Sequence, residues 1–92
     1  MIIRILGEGQ YDVPEGEVAG LDSLDDHLEH AVEAGDEAEF TEALAGLLTA
    51  VRGAGTRLPD DSLEDSDLIL PPADASIEEV REMLTDEGLI PG

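Results

Sequence analysis

The spacing of apolar residues changes period along the chain, and each change marks an element. Ile2, Ile3, Ile5 and Leu6 form a β-branched apolar run, Gly7-Glu8-Gly9 is a turn tolerant of positive φ, and Gln10-Tyr11-Asp12-Val13 alternates polar with apolar. Together they predict a β-hairpin, which Pro14 ends because it has no N–H for a ladder. From there the period is helical. Val18, Leu21, Leu24, Leu28, Ala31 and Val32 fall on one stripe, with Asp22, Asp26, Glu29 and Glu33 away from it. Gly16 and Gly20 soften the start of this helix, and Gly35 suits its left-handed end. Asp36 with Glu39 matches a capping box, so a second helix begins at once and turns Phe40, Leu44, Leu47, Leu48 and Val51 to one side. A link this short predicts an antiparallel helical hairpin with facing apolar stripes.

Gly53-Ala54-Gly55 ends the second helix, and an acidic, turn-rich stretch runs from Leu58 to Pro72. Within it, Leu68-Ile69-Leu70 reads as a short buried strand able to join the hairpin as a third. Ser76 with Glu79 is another capping box, opening a short helix with Ile77, Val80, Arg81 and Leu84 that Gly88 stops. The expected fold is α+β: a small N-terminal β-hairpin, extended or not by a third strand, packed with an antiparallel helical hairpin and a short C-terminal helix. A chain of 92 residues has room for one core, so residues 1–92 are read as a single domain.

Charge changes what such a domain can bind. There are 24 Asp and Glu against 4 Arg and no Lys, a formal charge of -20. Nucleic-acid binding by phosphate neutralisation is thereby disfavoured, as is adsorption to anionic lipid. The acid is spread along the chain, which reads as a solvated surface suited to a high-salt cytosol or as the codon bias of a GC-rich genome. Leu, Ile, Val and Phe number 25 of the 92 residues, enough for a folded, aliphatic core. With no Cys, disulfides and thiolate chemistry are absent. No apolar run reaches membrane-spanning length and no basic n-region follows Met1, so the expected location is cytoplasmic, with no direct membrane insertion.

Candidate chemistry is thin. His27 and His30, with neighbouring Asp26, Glu29 and Glu33, are ligand types for a divalent metal, but the helical wheel sends the two imidazoles to different sides. They read as surface histidines. The run Asp60-Asp61-Ser62-Leu63-Glu64-Asp65-Ser66-Asp67 is carboxylate-dense yet lacks the glycine and terminal Glu of a calcium loop, so it reads as loose counter-ion accumulation. Gly7-Glu8-Gly9 lacks the further glycine, helix and lysine of a phosphate-binding turn. No serine stands in a nucleophile arrangement, and two aromatics give little wall to a catalytic cleft. The expectation is a non-enzyme without cofactor or metal. Arg4 should face away from Ile3 and Ile5, as a cross-strand partner of Asp12 or Glu8 or as a contact to another protein. Tyr11 is either a core edge or a binding anchor.

Blocks across the chain resemble one family. Met1-Ile2-Ile3-Arg4-Ile5-Leu6-Gly7-Glu8-Gly9-Gln10-Tyr11, Leu58-Pro59-Asp60-Asp61-Ser62-Leu63, Ser66-Asp67-Leu68-Ile69-Leu70-Pro71, Ile77-Glu78-Glu79-Val80-Arg81 and Glu87-Gly88-Leu89-Ile90-Pro91-Gly92 look like the PspA-associated protein PspAA. The resemblance implies a small non-enzymatic accessory protein of a phage-shock-like envelope stress system, an adaptor or regulator acting on PspA, a membrane-remodelling coiled-coil protein. It carries no catalytic residues onto this chain. PspA is then the expected partner, recruiting the protein to the inner membrane face, and Arg4, Tyr11, Leu89, Ile90 and Pro91 are the candidate partner-binding residues. The other reading left open is a stand-alone acidic domain that responds to calcium, magnesium or salt.

Overall fold

The computed structural model describes residues 1–59, 61 and 64–83. The turn at Gly7-Glu8-Gly9, where both glycines take positive φ, closes an antiparallel pair of strands, β1 (Ile2–Ile5) and β2 (Gly9–Asp12). Ile3 lies opposite Tyr11 and Arg4 opposite Gln10. The Val13 N–H donates to the Met1 carbonyl at 2.8 Å, and the Met1 ammonium returns a bond to the Val13 carbonyl at 2.9 Å.

The sheet is larger than the expected two or three strands. A two-residue strand, β3 (Thr56–Arg57), pairs antiparallel with β2, and the strand foreseen at Leu68–Leu70, β4, pairs parallel with β1, giving the order β3-β2-β1-β4. Two exposed polar residues carry no periodicity, so β3 has no sequence signal of its own. Its position follows from the end of the preceding helix. A Cβ at Gly55 would stand 3.0 Å from Tyr11 Cβ, Val13 Cγ2 and the Val51 carbonyl, so the chain passes beside β2 at a distance only glycine permits without displacing a neighbour.

The helical hairpin forms as the spacing predicts, from α1 (Glu15–Ala34) and α2 (Glu37–Ala54). Gly35, at φ 69°, ends α1, with its N–H on the Val32 carbonyl and that of Asp36 on the Ala31 carbonyl, both at 3.2 Å. This is the two-bond left-handed helix end that glycine favours. Asp36 Oδ1 then caps α2 by accepting from the Glu39 N–H at 3.1 Å. The reciprocal half of that box is replaced: the Glu39 carboxylate lies 3.2 Å from His27 Nε2 and so bridges α2 to α1. Before the last described helix, α3 (Ile77–Met83), Ser76 Oγ caps by accepting from the Glu79 N–H, and its hydroxyl donates to Glu79 Oε1 in place of the reciprocal backbone bond, each at 3.2 Å. The expected roles of Leu84 and Gly88 fall outside the described residues.

Both long helices cover one face of the sheet. Leu21, Leu28 and Val32 of α1 and Phe40, Leu44, Leu47, Leu48 and Val51 of α2 meet Ile3, Ile5, Tyr11, Val13, Leu68 and Leu70, with Ile77 and Val80 of α3 closing one end. Alternation along the strands sends Arg4, Leu6, Asp12 and Ile69 to the opposite face. On that opposite face Gln10, 6% exposed, is held by bonds to Glu64 and Ser66, which precede β4.

Candidate functional site

Three polar side chains, those of Arg52, Tyr11 and Arg57, converge on Glu8 in the turn between β1 and β2. Arg52, in the last turn of α2, grips the Glu8 carboxylate with two nitrogens: Nε lies 3.1 and 2.8 Å from Oε1 and Oε2, and Nη2 lies 2.6 Å from Oε1. The Tyr11 hydroxyl donates to Oε2 at 2.8 Å, and Arg57 Nη2 donates to the Glu8 backbone carbonyl at 2.9 Å. One acidic residue therefore ties hairpin turn, helix end and β3 together, the first two through its carboxylate and β3 through its backbone carbonyl. Stabilised first by the Arg52 hydrogen bonds and then by Tyr11, the Glu8 carboxyl is lowered to about 2. The same carboxylate raises the Tyr11 phenol, since losing its proton would set two anions against each other, and it holds the Arg52 guanidinium more firmly protonated.

Next to this turn is a recess of about 280 Å³ on the open side of the sheet, lined by Arg4, Leu6, Glu8, Gln10, Leu58 and Pro59 among others. Gln10 Nε2 donates to the Glu64 carbonyl at 2.8 Å and to Ser66 Oγ at 2.9 Å, and Arg4 Nε reaches the same hydroxyl at 3.3 Å. Asp67 Oδ2 accepts from the Ile2 N–H at 2.8 Å. Residues 64–67 are thus fastened across the sheet before β4 begins.

The expected ion pair of Arg4 is not formed: Glu8 is engaged by Arg52, and Asp12 stands 3.8 Å from the Met1 ammonium, so Arg4 is turned to Ser66. Tyr11 lies inside the core at 7% exposure, the core-edge side of the alternative. Arg4 and Tyr11 thus share the hairpin but point to opposite faces of the sheet, while Leu89, Ile90 and Pro91 lie outside the described residues. His27 is 54% exposed and paired with Glu39, and His30 is exposed. Among the described residues no three His, Asp or Glu side chains are grouped to hold a metal.

Arg52, Arg57 and Gln10 carry most of this architecture, and none stands out in the periodicity. A clue is present in the composition, for two of only 4 arginines flank the helix-ending Gly53-Ala54-Gly55. In a chain so poor in cations, arginines bracketing a helix end mark a junction.

Comparison with known families decides the membership. A family model described as PspA-associated protein, PspAA, matches residues 1–92. The chain belongs to the PspAA family. No curated protein and no solved structure matches it. The resemblance of the sequence blocks to PspAA is therefore upheld over the whole chain, and the family description ties the chain to a PspA system. In this PspAA chain no helix among the described residues is long and apolar enough to cross a membrane.

Proposed function

We propose that the chain is a non-enzymatic accessory protein of a phage-shock-like envelope stress system and that it acts by binding PspA. The observation that carries this reading is the PspAA match over residues 1–92, with a description that names association with PspA. The Glu8 carboxyl, lowered to about 2, is occupied by Arg52 and Tyr11, an arrangement that holds strands and helix together. In this reading the protein works in the cytoplasm and reaches the inner membrane face through PspA.

Acidic charge raises the rate of encounter with a basic partner, while an apolar contact sets which partner stays. The test is co-purification with the PspA of the same genome at low and at molar salt, with masses read by light scattering. A complex that persists in molar salt is the expected result. A complex seen only at low salt reduces the association to charge steering, and none at either salt overturns the reading and favours the ion-responsive domain.

A further inference from the structure

The only large hydrophobic side chains strongly exposed among the described residues are Leu6, at 40%, and Ile69, at 46%. Single exposed apolar residues are ordinary on protein surfaces, but these two are neighbours. In the parallel pairing of β1 with β4, Ile69 stands opposite Arg4, and Leu6 follows two residues along the same face, its N–H bonded to the Leu70 carbonyl at 3.0 Å. Leu6 also lines the recess beside the hairpin turn, so the recess adjoins this pair at Leu6. The strand that carries Ile69, β4, is one of the two edge strands of the sheet.

The same face becomes acidic away from that patch. Asp67 stands two residues before Ile69, next to β1, where its Oδ2 accepts from the Ile2 N–H, Asp12 lies opposite Ile2 on β1, and Asp65, two residues further back, is exposed. Apolar residues bordered by charge have the layout of an interface with a hydrophobic centre and a polar rim. The charges also select the occupant. A second copy would bring another -20 and a matching set of aspartates onto this rim, and a nucleic acid or anionic lipid surface would be repelled in the same way.

We infer that the open sheet face around Leu6 and Ile69 is the docking surface for a Lys/Arg-bearing segment of a protein partner, whose apolar side chains cover Leu6 and Ile69 and whose cations meet Asp65 and Asp67. This rests on the proposed association with PspA and names the surface that association uses. Arg4, opposite both Ile69 and Gln10, places a positive charge on the face and would orient the incoming segment through a carboxylate of the partner.

The test compares the wild-type chain, the Leu6→Glu/Ile69→Glu double variant and a control, Ala45→Glu, that adds a like charge on the exposed side of α2. Binding to purified PspA is measured by calorimetry and melting temperature by circular dichroism. Because both residues are exposed, the double variant should melt within about 4 °C of wild type. It should bind at least about tenfold more weakly, while the control binds as wild type. In the wild-type complex, amide exchange should slow over residues 2–6 and 67–70. Equal binding by the double variant, or protection confined to α1 and α2, overturns this surface and leaves the PspA association standing. Failure of the wild type itself to bind overturns the association and the surface with it.

Discussion

Glu8 accepts from Arg52 and Tyr11 through its carboxylate and from Arg57 through its backbone carbonyl, so one residue of a hairpin turn fixes the distance between turn and helix end. Because its folded pKa, about 2, lies below the ordinary 4.5, it contributes stability that is complete above pH 4.5 and is lost as pH falls through about 2. Replacing Glu8 with Gln should cost about 1 kcal/mol at neutral pH, a modest figure for a charge-assisted pair because the side chains of Glu8 and Arg52 are 27% and 38% exposed. The informative quantity is the difference between wild type and Glu8→Gln in denaturant unfolding as pH is lowered. It should be constant from pH 7 to about 5 and shrink toward pH 2, where protonation makes the two side chains alike. A difference that stays constant to pH 2 would mean that the charge on Glu8 does not hold the turn.

The elements differ in how far the sequence discloses them. The two long helices and the first hairpin are visible because each repeats its apolar period over several residues, and the caps at Gly35, Asp36 and Ser76 follow from local backbone chemistry. β3 is hidden because Thr56 and Arg57 are held by what lies around them: the Gly55 passage, the β2 edge and the bond from the Leu58 N–H to the Gln10 carbonyl at 2.9 Å. The site is less legible than the fold for the same reason. Arg4 alternates outward as its position predicts, yet its partner is Ser66, 62 residues away, and no local rule selects a contact at that separation. Gln10 is the long-range fastener between β2 and the approach to β4, and it can be tested at this scale. Gln10→Ala removes two hydrogen bonds to residues 64 and 66 and leaves the Glu64 carbonyl without this donor. It should lower stability by about 1–2 kcal/mol. Amide exchange at Ser66 and Asp67 should speed up more than exchange in α2, whereas a uniform increase would mean that these bonds serve the whole core and do not fasten one segment.

Over the whole molecule, the few cations are spent on joints. Arg52 and Arg57 hold the turn, Arg4 reaches Ser66, and Arg81 donates to the Val32 carbonyl at 3.0 Å near the C-terminal end of α1, where a positive charge also suits the helix dipole. The remaining surface is overwhelmingly anionic, with -20 on a molecule whose radius of gyration is 12.4 Å. Charges confined this closely repel, and the repulsion is weaker in the expanded unfolded chain, so low ionic strength should destabilise the fold. Salt screens exposed charges first, since the Debye length falls from about 10 Å at 0.1 M to about 3 Å at 1 M, whereas the two-nitrogen grip of Arg52 on Glu8 is closer and better shielded. Screening should therefore relieve more repulsion than it costs in attraction, and each kcal/mol recovered should raise the melting temperature by about 4–8 °C for a domain of this size. Melting curves in sodium chloride, potassium chloride and magnesium chloride at matched ionic strength test this. Equal increases in all three are the expected outcome, because no three acidic or histidine side chains among the described residues are grouped to hold a metal. An extra rise with magnesium alone would transfer the explanation from screening to ion binding, and a melting temperature indifferent to salt would mean that self-repulsion does not limit this fold.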